Sequence, residues 1–98
     1  AMDSNSDRPL KKLFLAYYLN SDYKKCEEIF NKIEEHDFQD WFIYMNIRTK
    51  LNIEYITESW YEMGAEKFKD LNWKDEISLF HLNDKELKSS LESFAESH

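Results

Sequence analysis

Glycine and proline, the residues on which tight turns between strands depend, are almost absent from this chain of 98 residues. Only Gly64 and Pro9 occur, whereas a sandwich or barrel of many short strands needs such residues at most of its turns. Aromatic residues make up 16% of the chain and charged residues 34%, a balance that suits helices with buried aromatic faces and charged outer faces. The sequence therefore predicts an all-α fold with little or no strand.

The first third of the chain predicts the basic unit of this fold, a pair of antiparallel helices. Asn20, Ser21 and Asp22 form a short polar turn of residues that favour a helix start. Apolar side chains recur at intervals of three and four residues on both sides of this turn. They are Leu10, Leu13, Phe14 and Tyr17 before it, and Tyr23, Cys26, Ile29, Phe30 and Ile33 after it. We expect helices over residues 9–19 and 23–35.

Residues 38–69 predict a second hairpin, preceded by a linker at residues 36–40. Its first helix is apolar over more than half of its circumference, which indicates burial on two sides. The residues concerned are Trp41, Phe42, Tyr44, Met45 and Ile47. Its second helix is predicted to carry an apolar face of Ile53, Ile56, Trp60 and Met63, opposite an acidic stripe of Glu54, Glu58, Glu62 and Glu66.

Two shorter helices are expected between residues 72 and 95. Asn72 and Asp84 are residue types that begin helices, and acidic residues follow each of them within one turn. The last helix carries one narrow apolar stripe of Leu87, Leu91 and Phe94, which is typical of an outer helix. We thus expect a disordered remnant at residues 1–8 and one all-helical domain at 9–98, made of hairpin 9–36, hairpin 38–69 and capping helices 72–95.

Composition and spacing argue against several classes of function. The net charge of −7 and the absence of a basic patch disfavour direct binding to nucleic acid. One glycine cannot build a phosphate-binding loop. The histidines, His36, His81 and His98, are too far apart for a zinc site. No pattern isolates a catalytic pair of carboxylates or a small-molecule substrate site. We expect a protein that is not an enzyme and that uses no cofactor or metal.

The single cysteine and the absence of targeting signals indicate where the chain resides. Cys26 cannot form an internal disulfide and lies on an apolar helical face, so we expect a buried thiol in a reducing compartment. No apolar run reaches the roughly 20 residues of a membrane span, and no signal peptide is recognisable. The sequence predicts an intracellular protein, cytoplasmic or nuclear, without membrane association.

Several of these residues also match a known helical repeat. Tyr17, the turn Ser21, Asp22 and Tyr23, then Cys26 and Phe30 follow the order and spacing of a tetratricopeptide repeat. The second hairpin resembles the half-a-tetratricopeptide variant through Trp41, Tyr44 and the run from Trp60 to Gly64. The resemblance covers about residues 10–64. It departs from the pattern at Phe14 and Ile33, which replace small residues, and at Met63, which replaces an arginine.

This resemblance implies stacked antiparallel hairpins that hold partner proteins or serve as scaffolds in large assemblies, such as those that process RNA. The family often binds peptide termini through basic residues on its concave helices. Arg8, Lys11 and Lys12 match some of these positions, whereas Leu15 stands where an asparagine is expected. Two hairpins are fewer than the three or so that usually bury a continuous core, so a capping segment, a homodimer or a larger parent protein must cover the open end.

We therefore expect a protein-interaction or scaffold module that binds a peptide or helix of a partner in the groove formed by helices one and three. Tyr18, Tyr61, Trp73 and Phe80 are candidates for exposed aromatic anchors, because binding hot spots favour such residues; the alternative is that they seal the core. Lys11 and Leu15 complete the candidate surface. Two other hypotheses stay open: an acidic mimic of nucleic acid that inhibits a basic protein through its glutamate stripe, and an oligomerising subunit of an RNA-processing or other large assembly.

Overall fold

The computed structural model describes residues 8–80 and 82–97, which form six α-helices and contain no strand. In chain order these are α1 (Arg8–Leu19), α2 (Tyr23–Lys32), α3 (Phe38–Lys50), α4 (Ser59–Lys67), α5 (Trp73–Ser78) and α6 (Lys85–Glu96). The all-α prediction of about six helices is confirmed. Residues 1–7 of the expected disordered remnant lie outside the described residues, and Arg8 already belongs to α1.

Helices α1 and α2 form the predicted hairpin, but α1 is rotated from the expected orientation. Its buried residues are Phe14 and Tyr18, whereas Leu13 is 44% exposed. The hydroxyl of Tyr18 donates to Oδ1 of Asn46 at 2.8 Å inside the core. Because this buried amide needs a polar partner, Tyr18 turns inward, and the prediction that it is an exposed anchor is wrong. Ser21 takes the left-handed conformation in the turn, with φ of 60°.

Helix α3 is the central element of the structure. Every residue from 40 to 47 is buried, and the helix packs against α2, α4, α5 and α6. It begins earlier than expected, because Asp37 and Asp40 form a capping box in which each side chain accepts from the other's backbone N–H. Part of the predicted linker is therefore the helix N-terminus.

The prediction for the fourth helix is wrong over its first half. Helix α4 begins at Ser59, and residues 51–58 form turns in which Asn52 has a φ of 58° and the amide of Ile53 donates to the carbonyl of Arg48. Tyr55 fills the core here, with its ring against those of Trp60 and Tyr61. Ile53, Ile56 and Met63 are consequently exposed.

Helices α5 and α6 cover the remaining face of α3. The side chains of Asn72 and Asp84 accept from the backbone amides of Asp75 and Leu87, as their helix-start signals predicted. Leu91 is fully buried, and the ring of Phe94 lies 5.4 Å from that of Phe42. Phe80 is also buried, among the rings of Phe38 and Phe42, so the prediction that it is exposed is wrong.

Candidate functional site

A cavity of about 500 Å³ lies between α1 and the start of α3, and we call it the α1–α3 groove. Arg8, Lys11, Lys12 and Leu15 line it from α1, while Asp37, Gln39 and Asp40 line it from the start of α3. The structure thus brings together Lys11 and Leu15, the two non-aromatic candidates from the sequence. Arg8 and Lys12 are exposed at its edge, and Leu15 is half-buried.

Lys11 and two carboxylates join the walls of this groove. The ammonium Nζ of Lys11 lies 3.2 Å from Oδ2 of Asp37 and 3.2 Å from Oδ2 of Asp40. Asp40 is only 1% exposed, and its Oδ1 is buried without a hydrogen-bond partner among the described residues. A charge held this way is expensive to desolvate. The three groups therefore fix the N-terminus of α3 against α1 while leaving one carboxylate poorly solvated.

The pKa values of these groups follow from burial and from their mutual charges. Desolvation, together with the negative charge of Asp37, raises the pKa of Asp40 to about 7. Desolvation also acts on Asp37, but the backbone hydrogen bond from Asp40 and the Lys11 charge outweigh it and lower the Asp37 pKa. The pKa of Lys11 is raised, since the two carboxylates outweigh its own desolvation. Asp40 is the member of the cluster that takes a proton first.

A second cavity, of about 410 Å³, lies between α4 and the segment that follows α2, and we call it the α4 pocket. Its aromatic walls are Trp41, Trp60 and Phe68. Gly64 lies at its floor, where a Cβ atom would overlap the pyrrole part of the Trp41 indole. The glycine is therefore required for α4 to pack on Trp41. The indole Nε1 of Trp41 is buried without a partner among the described residues.

Charged groups also line the α4 pocket. Glu34, Glu35 and His36 line it from the segment after α2, and Lys67 lines it from α4. The Lys67 ammonium donates to the backbone carbonyl of His36 at 3.3 Å and lies 5.4 Å from the centre of the Phe68 ring. The imidazole of His36 stacks on Phe30 with ring centres 3.9 Å apart. The lining of the pocket thus combines aromatic rings with charged groups.

Tyr61 and Trp73, the remaining site candidates from the sequence, line neither of these two cavities. Tyr61 is half-buried and stacks on Trp41 from α4, with ring centres 5.6 Å apart. Trp73 is half-buried, and its indole N–H donates to the carbonyl of Phe68 at 3.4 Å; it lines a shallow depression of about 320 Å³ between α5 and the end of α6.

Sequence reasoning missed the residues of the α4 pocket as a site. Its polar residues come from the segment after α2 and from α4, and no local spacing joins positions so far apart in the sequence. The only available signal was Gly64, a glycine within a helical pattern, which indicates close packing or a helix end.

Other ionisable groups have structural roles. The Arg48 guanidinium pairs with Glu27 at 3.3 Å and Glu58 at 3.4 Å, and it donates to the hydroxyl of Tyr44 at 2.9 Å. Burial raises the pKa of the Cys26 thiol to about 12, so this thiol is unreactive, in line with its predicted place in the core.

Within residues 8–80 and 82–97, no cluster of three or more potential metal ligands is found, and no helix is long and apolar enough to cross a membrane. The predictions for His81 and His98 fall on positions outside the described residues.

No family model, no curated protein and no solved structure matches this chain.

Proposed function

We propose that this chain is a non-catalytic protein-interaction module that binds a peptide or helix of a partner in the α1–α3 groove. The observation that carries the proposal is the groove itself, an open cavity at the junction of two helices with exposed bases around a half-buried leucine. Pockets of this size commonly hold ligands. Interaction sites also commonly combine an apolar centre with a polar rim.

The lining of the groove indicates the chemistry of the partner segment. Leu15 offers an apolar contact, and Arg8 and Lys12 offer two exposed positive charges. Lys11 is already engaged by Asp37 and Asp40, so it stiffens the wall more than it attracts a ligand. A segment with one apolar residue flanked by carboxylates suits this arrangement, because rim charges speed association and fix orientation.

A selection from a random peptide library, with the purified chain as bait, tests the proposal. We expect enriched peptides whose binding to Leu15→Asp is at least about tenfold weaker, or about 1.4 kcal/mol, and whose binding to Lys12→Glu is also reduced. Lys24→Glu, at an exposed position of α2, is the matched control and should bind as the wild type does. Enriched peptides that bind all three variants equally would place the site elsewhere, and an activity screen that found turnover of a small molecule would contradict the non-catalytic assignment.

The alternatives find less support in the geometry. Glu54 lies in the turns before α4, and Glu58 is paired with Arg48 and accepts from Trp60, so the acidic stripe proposed for a nucleic-acid mimic does not run along one helix. The tetratricopeptide resemblance and a role as an oligomerising or scaffold subunit remain proposals; the short-turn α1–α2 hairpin packed on α3 supports them.

A further inference from the structure

The α4 pocket combines features that fit one kind of ligand, an aliphatic chain that ends in a positive charge. The rings of Trp41, Trp60 and Phe68 line it, and so do Glu34 and Glu35. The negative face of an aromatic ring attracts a cation, and nearby carboxylates stabilise the same charge. We propose that the α4 pocket binds the ammonium group of a lysine side chain on a partner protein, and that Lys67 occupies this place in the unbound chain.

The contacts of Lys67 provide the most direct support. Its ammonium lies 5.4 Å from the centre of the Phe68 ring and donates to the carbonyl of His36 at 3.3 Å. An ammonium group thus already fits at this end of the cavity, against one ring and one backbone acceptor. Lys67 is an exposed residue, so a partner lysine can take over both contacts while the Lys67 side chain moves into water. Binding is then an exchange of one ammonium for another.

The walls of the pocket are held in place before any ligand arrives. The indole N–H of Trp60 donates to Oε1 of Glu58 at 2.9 Å. Its ring packs edge-on against that of Tyr44, with ring centres 4.7 Å apart. Trp41 is fixed between the stacked ring of Tyr61 and the backbone of Gly64. A site whose side chains are already ordered loses little conformational entropy when it binds. The pocket can therefore accept a flexible lysine without rearranging its aromatic side chains.

Charge favours a basic partner at this surface. Glu34 and Glu35 line the pocket together with one base, Lys67, and the whole chain carries a net charge of −7. An acidic surface raises the local concentration of basic partners and repels acidic ones. The α1–α3 groove differs, because its exposed lining contains the bases Arg8 and Lys12 as well as Asp37. The two cavities therefore suit different segments, and neither proposal depends on the other.

Titration of the isotope-labelled chain with Nα-acetyl-lysine amide tests the inference, with the indole N–H signals of Trp41 and Trp60 as the readout. We expect saturable shifts of both signals, and much smaller ones with the norleucine analogue, which has the same aliphatic chain without the charge. Lys67→Gln should tighten binding by about threefold or more, because the competing ammonium is gone. Glu34→Gln combined with Glu35→Gln should weaken it, and added salt should do the same.

Two controls separate this site from its surroundings and from the groove. Lys69→Gln removes an exposed lysine that pairs with Glu66 near α4 and should leave the affinity unchanged. Leu15→Asp, which disables the groove, should also leave it unchanged. Equal binding of the norleucine analogue, an affinity of Lys67→Gln no higher than that of the wild type, or the absence of saturable shifts in Lys67→Gln would each overturn the proposal.

Discussion

At the scale of single residues, Gly64 shows how packing can override local preference. Alanine is favoured over glycine inside a helix by about 1 kcal/mol, yet a Cβ at this position would overlap the buried indole of Trp41. Overpacking of a well-packed core typically costs about 1–3 kcal/mol. We therefore expect Gly64→Ala to lower the free energy of unfolding, measured by urea denaturation, despite its better helix propensity.

The matched control for this change is Ser90→Ala, at an exposed position of α6. It should alter the free energy of unfolding by no more than about 0.5 kcal/mol, as exposed substitutions usually do. A Gly64→Ala variant as stable as the wild type would mean that α4 can move away from Trp41 at no cost.

Asp40 makes the free energy of unfolding of the chain depend on pH. Burial raises its pKa from 3.8 to about 7 in the folded chain, so between these values the unfolded chain loses the proton first as the pH rises. The stability contributed by this group is thus present below pH 4 and is lost as the pH rises through about 7. Asp37, whose pKa is lowered, acts in the opposite direction, and its contribution is lost only as the pH falls below about 4.

Asp40→Asn isolates this effect, because asparagine resembles the protonated acid at every pH. We expect the variant and the wild type to have similar free energies of unfolding at pH 4.5, and the variant to become relatively more stable by pH 7.5. The difference should change by at most about 1.4 kcal/mol per pH unit, the value for one proton. Asp70→Asn, at an exposed position after α4, should keep the wild-type profile. Parallel profiles for Asp40→Asn and the wild type would contradict the assignment.

At the scale of elements, the sequence predicted local features well and orientation poorly. The side-chain caps at Asn72 and Asp84 depend on neighbouring residues alone, and both occur. The inward face of α1 depends on a residue 28 positions away, since Tyr18 turns toward Asn46. The lining of the α1–α3 groove was partly predictable, because Lys11 and Leu15 both lie on α1. The sequence places Asp40, however, in a linker. Its burial depends on how α1 approaches α3, which spacing does not encode.

In the segment before α4, the burial that the helical spacing predicts can be compared with the burial that the structure shows. The helical spacing of the sequence predicts that Ile56 is buried, whereas it is 60% exposed and Tyr55 is 8% exposed. Tyr55→Ala should lower the free energy of unfolding by about 2–4 kcal/mol, since it removes a packed ring. Ile56→Ala should change it by less than about 0.5 kcal/mol. A larger loss for Ile56→Ala than for Tyr55→Ala in urea denaturation would instead support the helix that the spacing predicts.

At the scale of the whole molecule, the question is whether the chain needs a second copy to cover its core. The sequence predicts two hairpins with an open end, which residues 72–95, a homodimer or a larger parent protein must cover. In the single chain, residues 41–47 of α3 are all buried, and α6 contributes Leu91, which is fully buried, and Phe94. The largest exposed apolar groups, such as Met63 and Leu79, lie outside α3. We therefore expect the 12.0 kDa chain to sediment as a monomer over a wide range of concentration.

Leu91→Asp tests the closing role of α6, because it places a carboxylate where the wild type has a fully buried side chain. An unpaired charge in such a position is among the changes that unfold small domains, so we expect loss of the cooperative thermal transition in circular dichroism. Ser93→Ala, at an exposed position of α6, should keep that transition. A Leu91→Asp variant that stays folded and monomeric would show that α6 does not close the core. A wild-type dimer that the substitution merely dissociates would show that a second copy, rather than α6 alone, covers α3.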